Sequence, residues 1–319
     1  MLSVSQLIAQ VRRDTNNLSN AVVVSSTEGI QDIDFINALN RAQERLQAVI
    51  IGVNVQAFTK ESFIDVVANT AEYPIPDDAF FKQKLVTLEY SSTGSSEDYC
   101  QLNAKSLKER NNTSGLYVDG YILRNAKIIL DPKPSTSVPN GVRLNYVYRL
   151  PALDIPRAAV SDVTLDAVNR NITALTVTVS GDVAMTGDNL IAMQAANYLS
   201  VVDRYGTIKM NKIPLIGINS STGVLTIPLS FAYQVDQTLS VGDLIVTGYD
   251  ASSFCQLSDD TERFLQVFAN RYVFRRDSSD DIVNASEELK ELLDDIVTNW
   301  TDLSEDVEYI TILDHGMIP

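Results

Sequence analysis

The sequence predicts an α+β fold in which helices at the two chain ends bracket a β-rich middle. Three observations carry this. Apolar residues recur at helical spacing near the start and again after residue 257, the period falls to two beyond Phe58, and turn residues punctuate the stretch from there to about Tyr249. A chain of 319 residues is long enough for about two domains with a sizeable core. Hydrophobic residues at 45% and charged residues at 21% exclude a disordered or fibrous chain.

Ser3 with Gln6 three residues on forms a capping box, and Leu7, Ile8 and Val11 supply the apolar stripe of a first helix. A second is predicted from about Asp32 to Ile51, with Phe35, Leu39, Ala42, Leu46 and Val49 as its stripe and Gly52 as its C-cap. Strands are then read at Phe63–Val67, Thr70–Pro76 and Lys84–Tyr90. A short helix is read around Ala104–Arg110, and strands follow at Leu116–Asp119, Tyr121–Arg124, Lys127–Leu130 and Val142–Arg149. Asp119-Gly120 is read as the hairpin turn among them. From Arg157 to Tyr249 the texture changes to Val, Thr, Ile and Ser with Gly-Asp turns. Gly187-Asp188-Asn189-Leu190-Ile191 and Gly242-Asp243-Leu244-Ile245-Val246 look alike and are read as recurring turn chemistry. Ser220-Ser221-Thr222-Gly223-Val224-Leu225-Thr226-Ile227 reads as a turn feeding a strand, and short strands at regular spacing suggest a small barrel or sandwich. Two more helices follow, one capped by Asp259 with Phe264, Leu265, Phe268 and Tyr272 as its stripe. The other starts near Ser279 with Ile282, Leu289, Leu293, Ile296 and Trp300 on one face. An extended acidic tail is read from Asp302 to Pro319. The expected domains are residues 1–156 (helices and an antiparallel β block), 157–250 (an inserted β domain) and 251–319 (helices completing a bundle with the first pair).

The formal charge is −16, and between Ser258 and Pro319 there are 16 acidic residues against 5 basic ones, a local balance of −11. Such a surface repels phosphate backbones, so sequence-specific nucleic-acid binding is disfavoured. It is either a solvated face that maintains solubility or a surface past which DNA moves without sticking. No run approaches the ~20 apolar residues of a bilayer span, and the start lacks the basic and apolar signature of a secretion signal. Cys100 and Cys255 stand alone in sequence and are expected to be buried, reduced thiols.

No catalytic, cofactor or metal set is expected. His315, the one histidine, lies near the chain end, where a fixed catalytic geometry is hard to hold. Zinc-type His and Cys clusters and phosphate-cradling Gly loops are missing. The carboxylate groups Asp259, Asp260 and Glu262, then Asp277, Asp280 and Asp281, and Asp294 with Asp295 could pair for acid chemistry or a divalent ion. They sit, however, at helix starts or on helix exteriors, where acids meet the positive end of the dipole or face water. The basic cluster Arg271, Arg275 and Arg276 is either charge placed near a helix C-terminus or a contact to an acidic neighbouring copy or to DNA phosphate. The apolar pentad Tyr309-Ile310-Thr311-Ile312-Leu313 is either a core strand or an arm that docks on a neighbour.

Several stretches resemble a known family. These are Asp34-Phe35-Ile36-Asn37-Ala38-Leu39-Asn40-Arg41-Ala42-Gln43, Glu72-Tyr73-Pro74-Ile75-Pro76-Asp77-Asp78, Lys84-Leu85-Val86-Thr87-Leu88-Glu89-Tyr90, Gly120-Tyr121-Ile122-Leu123, Ile128-Ile129-Leu130-Asp131-Pro132-Lys133-Pro134 and Leu144-Asn145-Tyr146-Val147-Tyr148, with the two helices after residue 257. Their order resembles the head-to-tail connector (adaptor) proteins of short-tailed bacteriophages, the class that includes tail tubular protein A. The resemblance covers residues 1–150 and 257–319 and leaves 157–250 without a counterpart.

It implies a structural virion protein of the neck or tail, assembled in the host cytoplasm. A dodecameric homo-oligomeric ring would meet the portal protein on one side and a tail tube or nozzle protein on the other. Tail fibres would attach through the inserted domain, and DNA would pass through without specific binding. On this reading Asp259, Asp260, Glu262, Asp280 and Asp281 face the channel. Arg271, Arg275 and Arg276 lie between subunits, and Tyr309, Ile310, Ile312 and Leu313 dock on the portal. The alternatives are a tail nozzle, fibre-anchoring or baseplate component and, from a different class, a carboxylate-dependent glycan hydrolase.

Overall fold

The capping box closes as the sequence requires: the Ser3 hydroxyl accepts from the Gln6 amide at 3.2 Å and the Gln6 side chain accepts from the Ser3 amide at 2.9 Å. In this computed structural model the described residues are 2–15, 31–82, 84–109, 114–115, 117–165, 172–179, 183–214, 217–219, 224–226, 239–258, 261–276 and 281–315. Among them are helices α1 (Val4–Asp14), α2 (Asp32–Val53), α3 (Val183–Ala195), α4 (Glu262–Arg276) and α5 (Asp281–His315). Residues 1–46 with 151–299 form one compact unit, and 47–150 with 300–319 form the other.

α2 buries its expected stripe, with Phe35, Leu39, Ala42 and Leu46 sealed from solvent. It runs two residues beyond the predicted end, so Gly52 lies inside the helix rather than capping it. Asn54 instead caps a short 3-10 turn, Val55–Phe58, by accepting from the Gln56 amide. Three polar side chains of α2, spaced to share a helix face, read the backbone that follows the first β block. Asn40 exchanges two hydrogen bonds with Leu153 (2.9 and 2.7 Å), and Gln43 donates to the Pro151 carbonyl at 2.8 Å. Gln47 donates to the Tyr148 carbonyl at 2.8 Å and accepts from the Leu150 amide at 3.2 Å.

The unit of residues 47–150 and 300–319 carries strands β1 (Thr59–Val66), β2 (Glu72–Pro74), β3 (Thr87–Tyr90), β4 (Cys100–Gln101), β5 (Asn103–Ala104), β6 (Ser114–Gly115), β7 (Gly120–Arg124), β8 (Lys127–Asp131), β9 (Lys133–Pro134) and β10 (Val138–Val147). One sheet has the order β1-β10-β3-β4 and is antiparallel, a second has the order β2-β8-β7-β5, and β6 pairs with β9. Tyr73, Leu88, Tyr90, Ile128, Leu130, Leu144 and Tyr146 fill the core of this block. The helix expected at Ala104–Arg110 is only a 3-10 turn, Leu107–Glu109.

The hairpin turn is also displaced from its predicted place. β7 and β8 are joined through Asn125 and Ala126, both at positive φ, the mirror-image turn whose twist matches paired strands. Gly120 instead begins β7, where a Cβ would collide with the Lys105 side chain. Cys100 is exposed, contrary to expectation, while Cys255 is buried.

The other unit carries β11 (Ala152–Leu153), β12 (Ala158–Leu165), β13 (Ile172–Val179), β14 (Tyr198–Val202), β15 (Ile208–Pro214), β16 (Gly217–Asn219), β17 (Val224–Thr226), β18 (Leu244–Thr247) and β19 (Ala251–Ser252). Where a small barrel or two-sheet sandwich was expected, the described strands form one seven-stranded antiparallel sheet, β15-β14-β18-β12-β13-β17-β16, beside a parallel pair β11-β19. Met193 of α3 packs into its core with Leu175, Leu199 and Ile245. Gly187-Asp188-Asn189-Leu190-Ile191 therefore lies in a helix, not in a turn. Its look-alike behaves as read: Gly242 has φ +96°, and Asp243 accepts from Ser240 and Lys209 just before β18. The difference is tertiary, because Asn189 is drawn inward by the Arg157 guanidinium (3.1 Å), which also forms a buried ion pair with Asp154.

The tail corrects the sequence reading most plainly. Residues 302–315 are not extended; they continue α5, and the pentad Tyr309–Leu313 is helical. The stretch Asp302-Leu303-Ser304-Glu305-Asp306-Val307-Glu308 contains neither Pro nor Gly to stop the helix. Trp300 stacks on Phe58 with ring centroids 6.5 Å apart, and Phe58 meets Tyr148 edge-on.

Two predictions follow from this framework. Replacing Gln47 with Leu leaves the Tyr148 carbonyl and the Leu150 amide without their partner, and should cost about 1–3 kcal/mol in a urea titration. Asp78 gives a pH signature. Burial opposes its ionisation, but hydrogen bonds from Lys60 and the Tyr146 hydroxyl outweigh it and hold the carboxyl below the usual range. Its stabilisation is complete above the ordinary carboxylate pKa and is lost as the pH falls through the lowered folded value. The stability gap between wild type and Asp78→Asn should therefore narrow as the pH is taken from about 6 toward about 3.

Candidate assembly surfaces

α1 and α4 are joined at both ends. The Glu262 carboxylate, in the first turn of α4, accepts from the Leu2 amide, and the Val4 amide donates to Ser253 at 2.9 Å. At the far end of α1, Asp14 accepts from Gln266 at 2.6 Å and Asn270 at 3.1 Å, with Arg263 at 3.7 Å. Arg263 also reaches Glu288 of α5. Between these pins Phe264, Leu265, Val267 and Val273 are buried, while Phe268 and Tyr272 are half-buried.

The acids read from the sequence are thus not equivalent. Glu262 is half-buried and engaged within the chain, and Asp281 opens α5 on an exposed position. Asp259, Asp260, Asp277 and Asp280 lie outside the described residues. A more coherent acidic row, of which the sequence singles out only Asp294 and Asp295, runs along α5: Glu287, Glu291, Asp294 and Asp295 are exposed on one face. Helical spacing alone could have located it.

Of the basic cluster, Arg271 and Arg275 lie one turn apart on α4. Arg271 is half-buried, and its Nε is sealed from solvent without a hydrogen-bond acceptor; Arg275 is exposed. The side chain of Arg276 lies outside the described residues, as do those of Tyr309, Ile310, Ile312 and Leu313, whose backbone belongs to α5.

The unit of residues 47–150 offers a different surface. On the outer face of β1-β10-β3-β4, Phe63 is 47% exposed and lies 6.2 Å from the Tyr99 ring. The Arg143 guanidinium stands over that ring at 4.6 Å, bonds Glu89 and lies 3.9 Å from Glu61. The Tyr99 hydroxyl donates to the Asn140 carbonyl, and Asp65 accepts from the Asn140 amide at 2.7 Å. An aromatic pair with a pre-organised arginine and a charged rim has the composition of interface anchors. Strand alternation places Glu61, Phe63 and Asp65 on one face, but the pairing that brings Arg143 and Tyr99 to them is non-local, so the sequence did not reveal it.

No grouping of His, Cys, Asp and Glu suited to a metal ion occurs among the described residues, and no described helix is long and apolar enough to cross a membrane.

A family model described as SU10 adaptor protein matches residues 2–201. This agrees with the resemblance to connector proteins read from the sequence, but its limits differ. The match runs through 157–201, the first half of the block read as lacking a counterpart, and ends before the C-terminal helices. No curated protein matches the chain.

The junction of α1 and α4 supplies a test. Asp14→Ala removes one acceptor shared by three side chains and should lower stability by about 1 kcal/mol in thermal or urea unfolding. Arg13→Ala, its exposed neighbour, should stay within about 0.5 kcal/mol of wild type.

Proposed function

The chain belongs to the SU10 adaptor protein family, and from that premise we propose that it is a structural adaptor of a bacteriophage particle, a ring subunit that joins the portal to the tail. The family match over residues 2–201 carries this reading. Two properties of the chain support it. The exposed surfaces are chemically unlike one another, and a closed ring of identical copies needs two different faces on each subunit. The negative charge is concentrated after residue 257, and an acidic wall repels DNA and lets it slide.

In its finer form the proposal has a dodecameric ring in the virion neck, put together in the host cytoplasm. The first and last helices pack as one bundle, residues 157–250 project as a β module that meets tail fibres or the tail tube, and the carboxylates Asp259, Asp260, Asp280 and Asp281 face the bore. A ring map with those carboxylates turned away from the bore would overturn the channel assignment.

The end of α5 docks on the portal, and it does so as a helix. Leu289, Leu293, Ile296, Trp300, Leu303, Val307 and Ile310 alternate four and three residues apart, the repeat by which a helix seats along a neighbouring one. Tyr309 and Leu313 lie one turn apart beside the end of that stripe.

The deciding measurement is native mass or sedimentation of the full chain, alone and with the portal protein of its phage. A connector adds a defined number of copies to a portal ring, whereas a tail-nozzle or fibre-anchoring protein does not. Deleting residues 309–319 should leave a folded monomer, with an unchanged circular dichroism spectrum, that no longer adds to the portal. Undiminished addition would overturn the docking role.

A further inference from the structure

Two features of α4 and α5 remain unused by the contacts within the chain. In the same compact unit Arg12, Arg157 and Arg263 each meet a carboxylate. Arg271 and Arg275 meet none among the described residues, although acids outnumber bases by 41 to 25 in the whole sequence. Arg275 is exposed, whereas the Arg271 Nε is withdrawn from water with no acceptor. A donor left in that state costs free energy; an acceptor from outside the chain would meet the terminal N–H groups of the same guanidinium, which are not sealed.

The complementary feature is the acidic face of α5. Glu287, Glu291, Asp294 and Asp295 stand exposed and, among the described residues, unpaired; their neighbour Glu288 is already taken by Arg263. Guanidinium and carboxylate match in geometry as well as charge, two N–H groups meeting two oxygens. One protomer therefore carries an unfilled pair of guanidinium groups and an unfilled row of carboxylates on different helices.

We infer that Arg271 and Arg275 of one copy bind the α5 carboxylate row, centred on Glu291 and Asp295, of the next copy around the ring. This deepens the ring reading and rests on it. The contact is heterologous: each subunit gives its arginines to one neighbour and its carboxylates to the other, so the pairing propagates round a closed ring. It also answers an electrostatic difficulty. Subunits of net charge −16 repel one another, and association needs cations to lie opposite the acids. Arg13, Arg41, Arg45, Arg204 and Lys290 also form no ion pair among the described residues, but of these free cations only Arg271 has a sealed donor without an acceptor. Phosphate is the other oxyanion an arginine pair could take, but a chain this acidic repels a nucleic-acid backbone over most of its surface.

The test is a charge swap in the full chain, read by native mass and sedimentation with and without the portal ring. Arg275→Glu, at an exposed position that leaves the core intact, and the double variant Arg271→Glu/Arg275→Glu should each raise the concentration needed for assembly by about tenfold or more. Glu291→Arg/Asp295→Arg should do the same. Combining the two double variants should restore assembly toward wild type. Circular dichroism and thermal unfolding of each monomer separate a lost contact from a lost fold.

Assembly that is unchanged by Arg275→Glu and by Glu291→Arg/Asp295→Arg overturns the inference while leaving the ring in place. So does a pair of defects that the combined variant fails to rescue. Failure of wild type to form a ring, alone or on the portal, overturns the ring reading itself. A short DNA duplex in fluorescence anisotropy supplies the last arm: salt-sensitive binding lost in Arg271→Glu/Arg275→Glu, with assembly intact, would reassign the pair to phosphate.

Discussion

The structure depends on one stripe of amides, buried at Gln43 and Gln47 and half-buried at Asn40. Asn40, Gln43 and Gln47 sit on α2 among residues that are otherwise apolar, and each satisfies backbone groups of the segment Tyr148–Leu153. That segment leaves β10 and enters β11, so it has no continuous ladder of its own to meet its hydrogen-bonding needs. Backbone polar groups withdrawn from water must be paired. Here a helix supplies the partners that a neighbouring strand would otherwise supply. The same helix serves both compact units: its first part belongs with residues 151–299 and its last turns with 47–150. A purely apolar α2 would pack as well and would strand the chain at the point where one unit gives way to the other.

This explains which parts of the fold were legible in the sequence. Local chemistry was readable: the Ser3–Gln6 capping box, the Phe35–Leu46 stripe, β7 and β8, and the Gly242-Asp243 turn all form where their residues demand. Choices made by distant partners were not readable. Gly187–Ile191 and Gly242–Val246 share a Gly-Asp start with apolar residues after it, yet Arg157 reaches Asn189 across 32 positions and the first segment is helical. The hairpin turn fell at Asn125-Ala126 rather than Asp119-Gly120 because the pairing of Gly120 with Asp131 had already committed Gly120 to a strand. In both cases the local signal pointed one way and the observed pairing lies elsewhere.

The candidate surfaces divide in the same way. The sequence pointed to Arg271 and Arg275, and the structure adds what makes them unusual, a sealed donor without an acceptor. It pointed to Glu262 as a surface acid, whereas that carboxylate holds the start of the chain against α4. Of the α5 row the sequence marks the adjacent pair Asp294 and Asp295, while Glu287 and Glu291 join them only through helical spacing. The Phe63–Tyr99–Arg143 face depended on register between β1 and β10 and on a loop between β3 and β4, which no local pattern encodes.

Charge makes the last connection between fold and function. An excess of acid spread evenly would oppose association of identical copies at every contact. In this chain the excess is gathered on the final helices, and within the same unit Asp32, Asp154, Asp14, Glu288 and Asp243 hold Arg12, Arg157, Arg263 and Lys209. Like Arg271 and Arg275, Arg13, Arg41, Arg45, Arg204 and Lys290 form no ion pair among the described residues, and what sets Arg271 apart is its sealed, unpartnered Nε. In the proposed ring, repulsion over most of the surface with attraction between α4 of one copy and α5 of the next would favour a single mutual orientation over many weak ones, because wrong encounters bring like charges together. That is the requirement a ring imposes: the same rotation must relate every copy to the next, and an orientation only slightly preferred would not close.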